Sequence, residues 1–553
     1  MTAIKTLNIV RAIVLSILPI SFAITACAQT ADLAITNARI YTVNPKQPNA
    51  SAIAVRDGQI LAVSDDVSRY ITASTKVIDA RRATIIPGFI DSHGHVRLLG
   101  DMLGNIDLRG LSSQAEIFSR VKTATASHKR GEWIEGFAWD QNLWPGQQFP
   151  DAVGISRAAP ENPVALERVD GHALWVNRKA MELADINTAT PDPPGGKLLR
   201  DVKGAPTGVL LDQAQQLVKK KIPAASATQV EASLLRATGQ LARDGITTVH
   251  DAGVQYEDIA AYRSLLRRGK LPVRIYAMIL YPLPLPAKPE IGDFLTIRST
   301  KLVSDGALGS RGAAMIEPYS DDPGNRGLLI LDRAAIRAAA EAALAKGFQV
   351  NTHAIGDRAN RDTLDAYAEV LKGPNDKRFR IEHAQVVAPE DFAKFKQYSI
   401  VASMQATHAT SDMLWARDRI GPQRIQGAYA WQTFLHLGVH VPNGSDFPVE
   451  DANPLLGFYA AVTRQKPDGT PAAGWFPDQR MSREEALRSW TIEGAYAAFE
   501  ETRKGSLEAG KLADFVMLSA DIMTIPSSEI TRTRVMMTVV NGKIVYADTT
   551  LKP

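Results

Sequence analysis

Pro87-Gly88-Phe89-Ile90-Asp91-Ser92-His93-Gly94-His95 is the stretch on which the fold turns. Its apolar start reads as a β-strand, and in a strand the side chains at i and i+2 share one face. His93 and His95 therefore aim their imidazoles at one point, while Gly94 removes bulk from the opposite face. An H-x-H pair alone does not establish a metal site, so the rest of the chain has to decide. Residues 84–91 open a series of eight short β-rich runs, continued by 246–250, 273–280, 300–305, 348–353, 379–383, 400–405 and 439–446. Helical stretches alternate with them, most plainly the alanine-rich segments 334–346 and 483–499. This alternation predicts an α/β fold, a parallel (β/α)8 TIM barrel. Barrel strands gather their carboxyl ends around one mouth. His93, His95, Lys301, His353, His383 and Asp446 then converge despite their separation in sequence. Four of the ten histidines fall on strand ends, which argues for a metal site rather than core filling.

Composition agrees with that chemistry. The 553 residues are 45% hydrophobic and 22% charged, ordinary globular usage that excludes a disordered or multi-span membrane chain. The formal charge is only +4 and no Lys/Arg block stands out, so nucleic acid is not an expected partner. A single cysteine, Cys27, excludes an intrachain disulfide and a thiolate zinc cage. Any metal must be held by histidine and carboxylate.

Both chain ends are β-rich. Residues 32–83 contain the hairpin pair Asp57-Gly58, and residues 500–550 echo it at Asn541-Gly542, which predicts one small β-sandwich built from both termini. The barrel domain then spans 84–499. Between its first two strands lie about 150 residues, far beyond an ordinary βα connection. An inserted subdomain at about 105–240 is expected, with Trp133, Phe137, Trp139, Trp144 and Trp175 suited to a lid over a ligand. Ahead of the sandwich, Lys5 and Arg11 precede an apolar run at 12–26, a secretory signal peptide in residues 1–28. Ala26-Cys27-Ala28 fits a soluble cleavage product, and residues 24–27 equally fit a lipobox with Cys27 lipidated. The expectation is an exported protein, periplasmic or lipid-anchored at a bacterial envelope, touching membrane only through Cys27.

The motifs PGFIDSHGH (87–95), DGHALWVN (170–177), KLVSDGALGSRGA (301–313), HAIGDRA (353–359), RIEHAQ (380–385), NGSDFPV (443–449) and GSLEAGKLADFVML (505–518) resemble the metal-dependent amidohydrolase superfamily. The match is to amidohydrolase family 3, the branch that includes N-substituted formamide deformylases. The resemblance implies a distorted barrel with the two-ended sandwich, and a homodimer is compatible with it. It also implies that His93, His95 and Asp446 bind one metal and that His353 and His383 bind a second. Lys301, carboxylated on its amine, would bridge the two. Two zinc ions are the default, with one metal, iron or manganese as alternatives. The competing reading of Lys301, a buried amine paired with Asp305, would favour a mononuclear site.

The chemistry expected of such a site is hydrolysis of a C–N bond other than a peptide bond, in an amide, N-acyl or N-formyl amine. A metal lowers the pKa of a bound water towards neutrality and so supplies hydroxide, with Asp446 as general base and then acid. Deamination or another C–N or C–O hydrolysis at the same site is the alternative. A non-catalytic binding or regulatory protein on this scaffold is the alternative of another class. No G-x-S-x-G elbow supports a serine triad. For contacts to a small-molecule substrate the candidates are Arg168, Asp170 and His172 with Trp139 in the insert, His250 and His408 after strands two and seven, and Asp305 and Arg311 after strand four. Glu382 precedes His383, so strand alternation points it to the opposite face and a structural role.

Overall fold

A computed structural model of the chain describes residues 30–549, with 169, 170 and 172 apart. The signal-peptide and lipobox readings, Asp170 and His172 therefore lie outside the described residues. Eight parallel strands form the central sheet: β1 Phe89–Gly94, β2 Ile246–Val254, β3 Arg274–Leu280, β4 Leu295–Val303, β5 Gln349–Ala354, β6 Arg380–His383, β7 Val401–Gln405 and β8 Asn443–Gly444. They lie in chain order across the sheet. Apolar runs such as Ile275 to Ile279 are buried throughout, the signature of strands covered on both faces. Two backbone bonds join the sheet's ends, Asp446 N–H to the His93 carbonyl at 2.7 Å and His95 N–H to the Phe447 carbonyl at 2.8 Å. Barrel closure is thus made by the residues next to the candidate ligands. Gly94 has the purpose its spacing suggested: a Cβ there would stand 2.3 Å from the Phe447 ring.

The first predicted run, 84–91, is two strands. Thr84–Pro87 pairs with Phe515–Leu518 in a six-stranded sheet fed by both chain ends, and the chain enters the barrel only after Gly88. A four-stranded sheet from Leu33–Thr36, Ala52–Arg56, Gln59–Ser64 and Lys76–Asp79 faces it. Ile35, Ile53, Phe515, Met517 and Val539 share the core between the two sheets. The predicted helix 483–499 is broken into Arg483–Ser489 and Ile492–Ala497. Its interruption has a tertiary cause, because the Trp490 carbonyl accepts the Ile90 N–H of β1 at 2.7 Å.

The insert carries its own six-stranded sheet, with strands between Ile106 and Asp212. It ends earlier than residue 240. Helix α2 (Ala227–Arg243) starts on a Ser226/Gln229 capping box and buries Val230, Leu234, Ala237 and Leu241 in the barrel core. It packs on α1 (Val96–Gly104) so closely that a Cβ on Gly100 would stand 2.0 Å from the Ser233 carbonyl oxygen. Among the described residues no helix is long and apolar enough to cross a membrane.

Candidate metal centre

The mouth of the barrel brings together the six residues singled out by strand position. His95 Nε2 lies 3.0 Å from Asp446 Oδ1, and His93 Nε2 lies 3.6 Å from the same oxygen. On β4, the buried Lys301 places Nζ 3.0 Å from His93 Nε2. The His383 ring lies 4.9 Å from that of His93 and 4.6 Å from that of His353. Two imidazoles have fixed tautomers by their partners. His93 Nδ1 faces Glu382 Oε2 at 2.5 Å, and His383 Nδ1 faces Gln405 Oε1 at 2.7 Å. An acceptor on Nδ1 makes it the protonated nitrogen and leaves Nε2 free to ligate. Gln405 ends β7 and carried no signal in the sequence beyond that position.

Two donor groups emerge, His93/His95/Asp446 and His383/His408/Asp446, with Asp446 common to both. Within each, the ligand atoms lie within 4.8 Å of one another. His353 Nε2 and Asp446 Oδ1 are buried, and no contact they make among the described residues, His95 to Asp446 included, has hydrogen-bond geometry. Orphaned acceptors of this kind need an ion or a proton, and imidazole with carboxylate suits a divalent metal. Burial, then the Lys301 charge, pushes His93 down to about 4, and burial carries His383 well below the ordinary histidine value. Both rings are thus kept neutral, the ligating form. Burial pushes Lys301 down to about 8. Burial would raise Asp446, but His408 and His95 beside it hold the carboxylate far below its usual range.

The structure alters several sequence expectations. Glu382 is inside the barrel, because His383 and Ala384 adopt left-handed backbone conformations (φ 73° and 41°) that break strand alternation. Fully buried, it receives Arg380 at 2.7 Å and orients His93, so its structural role stands while its direction does not. Lys301 is not paired with Asp305, whose carboxylate accepts the N–H groups of Ala314, Ile355 and Gly356 at 2.8–3.0 Å. His353 Nε2 lies 3.4 Å from that same carboxylate.

His408, on α3 (Ala406–Asp412), reaches Asp446 Oδ2 at 3.2 Å and Glu450 Oε1 at 3.3 Å, which makes it a candidate ligand. His250 is fully buried against Arg380 Nη1 at 2.9 Å and does not line the cavity. Arg311 is spent on Asp321 in a two-bond pair. Arg168 bonds Gln141 and Asp140 within the insert. A bulge at Ala138 (φ 68°) turns Trp139 into the insert's core, where it packs on Trp144 and Trp175. Trp139, Trp144 and Trp175 are that core rather than a lid surface.

Above the ligands opens a cavity of about 540 Å³. A parallel barrel whose strand ends hold histidines and an aspartate around a buried lysine defines a metal-dependent hydrolase. The chain belongs to the amidohydrolase family, whose sequence profile matches residues 76–546. It is similar to the protein LONG AFTER FAR-RED 3 of Arabidopsis thaliana, 35% identical over 539 residues that cover 93% of this chain and 92% of the plant protein. It is also similar to N-substituted formamide deformylase of Arthrobacter pascens, 26% identical over 547 residues, 94% of this chain and 99% of the other. Among solved structures, an uncharacterised metal-dependent hydrolase from Pyrococcus furiosus matches with a TM-score of 0.76 and 28% identity, covering 89% of this chain and 100% of that one.

Proposed function

We propose that this protein hydrolyses the C–N bond of an N-acyl or N-formyl amine. The observation that carries the reading is Asp446, an ionised carboxylate shared by two groups of imidazoles at the base of the cavity. His93, His95 and Asp446 would hold one divalent metal, zinc by donor type, and His353 and His383 with His408 within reach a second. Bound there, the metal supplies an acidified water and polarises the substrate carbonyl. Lys301 is suited to the bridging role, since its burial favours the neutral amine that carbamate formation from CO2 requires, with release of one proton. Asp446 takes the proton of the attacking water and delivers it to the departing nitrogen, acting as base and then acid. The formamide deformylase relative supports a substituted formamide among the substrates.

The test is a metal analysis of the purified protein followed by a hydrolysis screen. Release of carboxylate plus amine, abolished in Asp446→Ala, is the expected result. Ammonia release would replace this reading with deamination. A protein without stoichiometric metal, whose activity no added metal restores, would remove the enzyme reading altogether.

A further inference from the structure

We infer that the cavity selects a substrate with a cationic group a short alkyl spacer from the scissile bond, the mono-N-acylated diamine class, and that Asp412 and Glu450 hold the cation. This rests on the C–N hydrolase reading above. Helix α3 presents His408 and Asp412, four residues apart and so on one side of the helix, to the cavity. Asp412 Oδ2 accepts the Tyr429 hydroxyl at 2.7 Å and the Gln385 side-chain amide at 3.2 Å, two donors that lock the carboxylate in place. Its Oδ1 meets only the Ser411 hydroxyl, at 3.5 Å. Glu450, from the loop after β8, accepts the Ser411 hydroxyl on Oε1 at 2.6 Å, and its Oε2 has no partner among the described residues. Each carboxylate therefore keeps one oxygen for a ligand.

The remaining wall decides the sign of that ligand. Among the described lining residues Lys301 is the only lysine or arginine, and it lies at the floor with the metal ligands. Leu280, Val303, Leu308 and Val449 make the wall apolar, and Trp415 offers an indole face. A substrate carboxylate would meet two like charges in a cleft of lowered dielectric, where the nearest basic side chain, His408, is already paired with Asp446 and Glu450. An ammonium would find two open acceptors and an aromatic ring. One imidazole, His408, separates Glu450 from Asp446, which sets the spacer as short.

The zinc-loaded protein should be assayed with three probes of matched length in formyl and acetyl forms: the N-acylputrescine, the N-acylpentylamine and the N-acyl-γ-aminobutyrate. The expected kcat/KM favours the putrescine over the pentylamine by about tenfold, what one hydrogen bond to a charged group yields, with the γ-aminobutyrate lowest. Asp412→Asn combined with Glu450→Gln should bring the putrescine-to-pentylamine ratio near one. Should that variant not fold, product inhibition of the unmodified protein serves instead, with putrescine expected to bind tighter than pentylamine. Turnover of the pentylamine equal to or better than the putrescine overturns this inference and leaves the hydrolase reading intact. Turnover of none of the probes overturns both.

Discussion

Replacing Glu382 by leucine should separate what that carboxylate does for the fold from what it does for the metal centre. Glu382 and Arg380 are both fully buried, joined by contacts of 2.7 and 3.1 Å, and the other face of the carboxylate holds His93 Nδ1 at 2.5 Å. Breaking a buried ion pair by removing one partner costs about 3–5 kcal/mol, because a charge is left without compensation. Arg380 would keep the Ser92 carbonyl, the Ser403 hydroxyl and His250 at 2.5–2.9 Å, but its Nε would lose Glu382 Oε1, which it meets at 2.7 Å, so a cost within that range is expected. Urea unfolding of the metal-free protein measures this without linkage to bound ion. Zinc affinity, by competition with a chelator, should fall by about 10–100-fold as His93 loses the acceptor that fixes its tautomer. The double variant Arg380→Met/Glu382→Leu removes both charges, and it should recover most of the stability but none of the zinc affinity. Recovery of zinc affinity in the double variant would refute the view that Glu382 positions His93. A single variant as stable as the unmodified protein would refute the buried-pair argument.

Three further outcomes are expected. Asp514 meets Arg274 in two bonds of 2.7 and 2.9 Å between the barrel and the six-stranded sheet, both groups buried, so Asp514→Ala should lower urea stability by about 3–5 kcal/mol; a loss below about 1 kcal/mol would mean the pair is dispensable. Asp244, at the carboxyl end of α2, is pushed up to about 6 by burial. A carboxyl raised in the folded state contributes stability that is complete below its unfolded value, about 3.9, and lost as pH rises through about 6. Asp244→Asn should therefore gain on the unmodified protein between pH 4 and 7, and parallel stability curves would contradict this. Trp139→Ala should destabilise by about 3–5 kcal/mol as a core truncation, while KM keeps its original value; a raised KM at unchanged stability would restore the lid reading.

The barrel was legible because its strands are short, apolar and covered on both sides, and each of the eight runs corresponds to a strand of the sheet. Their boundaries were less so. Residues 439–446 read as a full strand, yet the strand is confined to Asn443–Gly444, with the His440 and Pro442 carbonyls ahead of it accepting the Ala402 and Met404 N–H groups of β7. The break at Trp490 is likewise hidden in a helical-looking sequence, since the competitor for its carbonyl is an amide four hundred residues away in the chain. The insert's end was misplaced for a related reason. An amphipathic helix announces that it has a buried face but not which core receives it, and α2 faces the barrel.

At the site, period-two reasoning placed His93 and His95 correctly and failed for Glu382, one residue before a ligand. The failure is physical. Alternation holds only while φ stays in the extended region, and His383 (φ 73°) and Asp446 (φ 62°) both leave it. A left-handed conformation at a non-glycine residue costs about 1–2 kcal/mol, so the surroundings must over-determine it. They do so here. Asp446 N–H closes the barrel on the His93 carbonyl, and His383 is held by Gln405. Because the chain turns at His383, two adjacent residues, Glu382 and His383, both point inward, one to orient a ligand and the other to be one. That doubling is unavailable to a regular strand. The irregularity that defeats the sequence pattern is thus what brings His383 and Asp446, from the ends of β6 and β8, beside the His93 and His95 imidazoles.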